Sequence, residues 1–252
     1  MAALRVREQG FTLVELMVAM TLSLSLLAGL MYSVLGDMRA YESTRGSQTL
    51  ASKGRISMQL LRLYIQQAGY RDLTQIKNNT QLPASGAWID GQKLRGFNAL
   101  TAGTVTGLTA PKLRSDIISL RFFGAPQGIV SCNGTAVTSA TAPNGYQISL
   151  FVNTADNLVC QDTTGVFVLN SGVEHLRLVY GITGNSYRYL NADAVADWSA
   201  VNRVKVSLLV AQAVTANRLV NGNTYDLFDR AISAANDTRF RNVVNETVLI
   251  RN

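Results

Sequence analysis

The chain has 252 residues, of which 47% are hydrophobic and 15% charged, with a formal net charge of +7. That length and composition suit one or two domains with a sizeable core and exclude a disordered, collagenous or disulfide-dense chain. The basic balance leaves acidic partners open, nucleic acid among them.

In chain order, a short leader holding Arg5 and Arg7 ends at Gly10, and residues 11–36 then carry Glu15 as their only charge. About 20 apolar residues suffice to cross a bilayer as a helix, so this run predicts a membrane span, with the basic leader on the cytoplasmic side. A secretory signal is the competing reading. Its apolar core is only about 7–15 residues long and is followed by a small-x-small cleavage site. Here the run is longer and the small residue, Gly10, precedes it. An acid at the edge of hydrocarbon costs a few kcal/mol on the lenient insertion scales, so Glu15 calls for a purpose.

No proline occurs before Pro83, and the helix is expected to continue beyond the membrane to about Gln67, roughly 85 Å at ~1.5 Å per residue. Leu50, Gly54, Met58, Leu61, Ile65 and Ala68 recur at helical spacing, with Arg55, Gln59, Arg62 and Gln66 elsewhere on the wheel. This half should pack on a sheet, and Gly69 is the expected stop. Gly29, Gly36 and Gly46 each weaken a helix by about 1 kcal/mol relative to alanine. Close helix packing in lipid and a stretchable segment both explain them. Residues 70–115 lack periodicity and read as an irregular connection. Strand signals come next at "DIISLRFFG" from Asp116, "YQISLFVN" from Tyr146, "GVFVLN" from Gly165, "VEHLRLVYG" from Val173, "VNRVKVSLLVA" from Val201 and "NETVLIRN" at the end. "AVADWSAV" predicts a short helical turn. The expected fold class is α+β, a long helical spine packed on an antiparallel β-meander.

Gly10-Phe11-Thr12-Leu13-Val14-Glu15, set between a basic leader and a long apolar run, resembles the processing site of type IV pilins and pseudopilins. The resemblance implies a pilin-like fold and a cut after Gly10 by a membrane prepilin peptidase. It also implies N-methylation of Phe11, and a docking role for Glu15 at the fifth mature position. A carboxylate buried in a filament becomes tolerable when a neighbouring subunit's Phe11 amine pairs with it. "AGY" at the helix end, "GVEHLRLVYG", Trp198 before "VNRVKVSLLV" and the closing "RFRNVVNETVLIRN" are similar to PilW-type minor pilins. The implied domain scheme is leader 1–10, membrane and filament-core helix 11–36, amphipathic continuation 37–69, connection 70–115 and a β-rich periplasmic head 116–252. The expected role is a minor pilin in a complex that starts type IV pilus assembly near the tip. Its partners would be other minor pilins, the major pilin, the peptidase and the inner-membrane assembly platform, with a tip adhesin as a further candidate. A J-type minor pseudopilin of type II secretion and a DNA-binding minor pilin for DNA uptake are the alternatives.

Cys132 and Cys160 lie in the part that the positive-inside bias sends outward, where an even pair reads as a disulfide. Closing a loop of about 29 residues contributes roughly 3.5 kcal/mol on the chain-entropy account. Two cysteines and the single His175 fall short of a four-ligand zinc site, and no phosphate loop, nucleophile elbow or EF-hand spacing is present. Glu174 and His175 are neighbours in a predicted strand and point to opposite faces, so the acid cannot orient the imidazole. "NTADN" and "NADAVAD" read as loop acids. The chain is therefore read as a non-enzyme without cofactor or metal. Arg203, Lys205, Arg218, Arg230, Arg239 and Arg241 lack the interleaved aromatics of a single-strand platform, so nucleic acid is the weaker partner class.

Overall fold

The computed structural model describes residues 10, 12–71, 81–98, 107–125, 127–138, 140, 142, 144–182, 188–214 and 222–250. One helix, α1, runs Leu13–Gln67. The chain divides into two compact units, Met1–Arg45 and Gly46–Asn252.

In the first unit α1 is built from leucine, methionine and alanine, strong helix formers, and its apolar side chains face outward all round. Such a helix is apolar and long enough to cross a membrane, and none of its most apolar stretch is covered by the protein. Its hydroxyls do not contradict that. Thr21 donates to the Val18 carbonyl (2.9 Å), Ser23 to Ala19 (2.7 Å) and Ser25 to Leu22 (2.8 Å), so each donor is satisfied inside the helix.

In the second unit the expected stripe is the buried one: Leu50, Gly54, Met58, Leu61, Ile65 and Ala68 are all covered, with Ser57 and Tyr64 beside them. Gly54 permits close approach, since a Cβ there would stand 2.7 Å from the Val244 Cγ2. Gly46 likewise lies against the Val214 side chain, which gives that glycine a packing reason inside this unit. The helix ends as expected. Gly69 has φ +76°, and its N–H donates to the Arg121 carbonyl at 2.8 Å.

Two sheets pack around this helical segment. The first is a meander in the order β1 (Leu94–Phe97), β2 (Ile117–Phe122), β3 (Tyr146–Val152), β4 (Asn157–Asp162) and β5 (Gly165–Ser171), antiparallel throughout. The second contains β6 (Val173–Ile182), β7 (Arg188–Leu190), β8 (Val201–Ala213) and β11 (Arg239–Leu249), in the order β11-β8-β6-β7. A hairpin of β9 (Thr224–Leu227) and β10 (Arg230–Ser233) completes the strands among the described residues. Gly172, with φ +77°, carries the chain from β5 to β6. A Cβ there would meet the Ala211 carbonyl oxygen at 2.6 Å, so glycine is required at this crossing.

Leu61 and Ile65 of α1 share one core with Leu120 and Leu150 of the first sheet and with Leu176, Leu178, Val206 and Leu208 of the second. Each fully buried leucine or isoleucine contributes about 1.5–3 kcal/mol, so the amphipathic face of α1 is the centre of the head's stability.

The fold differs from expectation where strands are not half-buried. All six residues of β2 are buried: on its outer face Ile117 joins Phe151 and Val159 in a second apolar cluster, Ser119 is bonded to Ser149, and Arg121 lies against Trp88 and bonds the Pro83 carbonyl. A single meander does not describe the whole, since only the first sheet has that order. β4, with the polar Asn157, Gln161 and Asp162, is a strand beyond those expected. The span read as irregular contains β1 and a bridge between Ser85 and Trp88. "AVADWSAV" forms two 3-10 turns, Ala192–Ala194 and Trp198–Ala200.

Candidate functional site

The N-terminal motif begins at Gly10, which is exposed and has nothing within 4 Å of where a Cβ would stand. Phe11 lies outside the described residues. Thr12 and Glu15 form a reciprocal cap. The Thr12 N–H and hydroxyl donate to the Glu15 Oε2 at 3.1 and 3.0 Å, and the Glu15 N–H donates to the Thr12 Oγ1 at 3.3 Å. In a single chain the acid thus satisfies donors at the start of α1 and complements its dipole. The Thr-x-x-Glu spacing is the sequence signal for this cap.

The two cysteines meet. Cys132 and Cys160 form a disulfide with Cα atoms 5.3 Å apart, an ordinary separation for such a bridge. Cys160 sits in the middle of β4 and Cys132 in the loop after β2, so the bond ties that loop to the sheet. Asp162 secures the same corner: its Oδ2 accepts from the Cys132 N–H (3.0 Å) and the Tyr146 hydroxyl (2.9 Å). Burial opposes ionisation of Asp162, yet hydrogen bonds from Thr164, the Cys132 N–H and Tyr146 hold its pKa below the usual value. Burial and the neighbouring Asp162 carboxylate push the Tyr146 phenol up to about 12. The full chain in detergent should show no free thiol without reductant, and Cys160→Ser should lower its stability by roughly 3.5 kcal/mol. Stoichiometric labelling of both native thiols would contradict the bridge.

Most of the suspected basic residues are occupied within the fold. Asp116, buried before β2, accepts from Arg177 at 2.6 Å, from Arg230 at 2.8 Å and from the Leu178 N–H at 2.9 Å. Arg177 also grips Asp229 through its Nε and Nη2, at 2.9 and 2.8 Å. A second network joins Arg241 to both oxygens of Glu174 (2.8 and 3.0 Å) and to Asp237 (2.8 Å), with Arg239 bound to Asp237 and Asp156. The Lys205 ammonium lies 5.3 Å from the Tyr189 ring centre and 5.1 Å from that of Phe228. The Arg203 guanidinium is 5.8 Å from the Tyr189 ring. Arg218 lies outside the described residues. Arg230, Arg239 and Arg241 therefore hold β6, β10, β11 and the segment before β2 together, and their charge is spent on carboxylates.

Of the other candidates, Asp156 of "NTADN" pairs with Lys112 and Arg239, Asp193 accepts from Asn98 at 2.8 Å, and Asp197 caps the second 3-10 turn through the Ser199 N–H. His175 is largely covered, and burial depresses its pKa to about 4. Its neighbour Glu174 is turned to Arg241, as the strand alternation required.

These networks predict acid sensitivity. The hydrogen bond from Arg177 holds the Asp229 carboxyl down at about 2, against an ordinary 3.8. A depressed folded-state pKa contributes stability that is full above the unfolded value and is lost as pH falls through the folded one. Thermal unfolding followed from pH 5 to 2 should show Tm falling most steeply between about pH 4 and 2, and Asp229→Asn should flatten that slope. An unchanged slope in the variant would assign the acid limb to other groups.

Residues 5–31 match the model of the prokaryotic N-terminal methylation motif. Residues 143–252, from β3 to the end, match that of Type IV Pilus-assembly protein W. Among solved structures, a type IV-like pilin from Thermus thermophilus is similar at 15% identity, covering 80% of this chain and 96% of that one with a TM-score of 0.47. No curated protein matches the chain. The methylation motif heading a long apolar helix fits a membrane-anchored, type IV pilin-like protein. Together with that motif, the match over residues 143–252 supports a PilW-type minor pilin.

Proposed function

We propose that this chain is a prepilin cut after Gly10 and N-methylated at Phe11, and that it joins other minor pilins in the complex that starts type IV pilus assembly. The observation that carries the reading is the coincidence, in one chain, of the methylation motif at residues 5–31 and the PilW match at residues 143–252. The leader stays cytoplasmic, α1 anchors the subunit in the inner membrane, and the disulfide-bonded head faces the periplasm until the subunit enters a filament near its tip. Glu15 guides that entry by pairing with a neighbour's Phe11 amine. The contacts are made with other minor pilins, the major pilin and the assembly platform, and the role is structural rather than catalytic. Deleting the chain should remove sheared surface pili, and a wild-type copy should restore them. Normal pili with lost protein secretion would instead support a J-type pseudopilin of a secretion system.

A further inference from the structure

The outer face of the first sheet, opposite the core, carries a cleft of about 580 Å³. Ligand sites fall typically between about 300 and 1,000 Å³, so this one has room for two linked small rings. Its floor is a single row across the sheet, since Arg95 stands opposite Ser119, Ser119 opposite Ser149, and Ser149 opposite Gln161. Ser119 and Ser149 are 4% and 5% exposed and share one hydrogen bond of 2.8 Å, so the pair of hydroxyls keeps capacity for a ligand. Trp88 donates its Nε1–H to the Gln147 Oε1 at 2.9 Å, which fixes that amide with its NH₂ as the remaining donor.

Arg95, at the β1 end of this row, lies against an aromatic ring, and so does Arg121, which stands one row away opposite Gln147 and behind the residues that line the cleft. Arg95 is 5.1 Å from the centre of Phe97, and Arg121 is 5.3 Å from that of Trp88. Among the described residues neither arginine forms an ion pair, in contrast to Arg177, Arg230, Arg239 and Arg241 on the other sheet and its hairpin. Arg121 is 4% exposed, bonds the Pro83 carbonyl through its Nη2, and leaves its buried Nη1 without a partner. Asp162 also lines the cleft, but its two oxygens are occupied by Cys132, Tyr146 and Thr164. Arg95 donates from its Nη1 to the Ala87 carbonyl at 2.8 Å, and its stacking on Phe97 leaves the remaining in-plane N–H groups for a planar carboxylate.

We propose that this cleft binds an acidic sugar unit of a surface glycan, with the sugar carboxylate on Arg95 and its hydroxyls on Ser119, Ser149 and the Gln147 amide. The floor selects a hydroxyl-rich ligand and the unneutralised Arg95 selects a negative charge, a combination that uronic acid residues supply. The binding belongs to the head and is independent of processing and assembly.

Calorimetric titration of the full chain in detergent with digalacturonate tests this, with cellobiose as the neutral disaccharide and acetate as the bare carboxylate. Saturable binding of digalacturonate in the millimolar range or tighter is expected, at least about tenfold tighter than either control. Arg95→Gln should weaken it at least about tenfold while leaving the melting temperature unchanged. Ala87→Trp, placed on the exposed wall of the cleft, should abolish it and serves as the second variant if Arg95→Gln fails to fold. No saturation by about 10 mM, equal affinity for cellobiose or acetate, or unweakened binding in a folded Arg95→Gln or Ala87→Trp chain would overturn the proposal.

Discussion

Glu15→Val should leave the chain inserted and cut but absent from pili, and a strain relying on it should lose most of its surface filaments. Insertion survives because removing a charge from the membrane helix removes a cost of a few kcal/mol. Cleavage survives because Gly10 and Phe11 remain. What the proposed docking loses is the pairing of the carboxylate with a neighbour's α-amine, which would offset the burial of both charges in the packed filament. The cap formed with Thr12 offers a competing explanation that the same experiment can separate. Glu15→Gln keeps a hydrogen-bonding side chain at the third helical position and so preserves the cap, while abolishing the charge. Both variants should fail to assemble if docking is electrostatic. Assembly with glutamine but not valine would assign Glu15 to the helix start, and normal piliation with valine would remove it from assembly altogether.

Gly10→Val should leave the chain as a full-length precursor held in the membrane. Nothing among the described residues stands near the position a Cβ would take, so the substitution disturbs no packing. On the proposed processing, the effect falls on the peptidase, which would need a small side chain before the bond it cuts. Intact mass of the membrane fraction should show the variant heavier than the mature form by the ten-residue leader, lacking the methyl group, and excluded from sheared pili. A variant of mature mass would move the cleavage point elsewhere.

The apolar run and the amphipathic stripe were legible because helical periodicity survives in sequence whatever the helix packs against. Leu50 through Ala68 alternate in register, and every member of that stripe is buried. Longer strands showed themselves by alternation or by β-branched runs, as in β6 and β8. β4 did not, because Asn157, Gln161 and Asp162 are polar for reasons of hydrogen bonding and cleft lining rather than of solvent exposure. β1, β7, β9 and β10 are three or four residues long, too short for any period to register. The cysteine pair could be read by counting, since two thiols allow one bridge. The ion networks could not. Asp116, Glu174, Arg177 and Arg241 come from distant parts of the chain, and their pairing depends on β6, β8 and β11 lying side by side. In sequence Arg230, Arg239 and Arg241 looked like part of a basic patch for an acidic partner; in the fold Asp116, Asp156, Glu174 and Asp237 are that partner. The cleft was hidden for the same reason, because its floor takes one residue from each of four strands.

The central claim is that this chain is a prepilin matured between Gly10 and Phe11. Intact-mass analysis of the wild-type protein from membranes, with sequencing of its N-terminal peptide, tests it most directly. The account predicts a chain beginning at Phe11 and carrying one N-methyl group; a chain that keeps its leader in a strain with active peptidase, or that begins at any other residue, would contradict it.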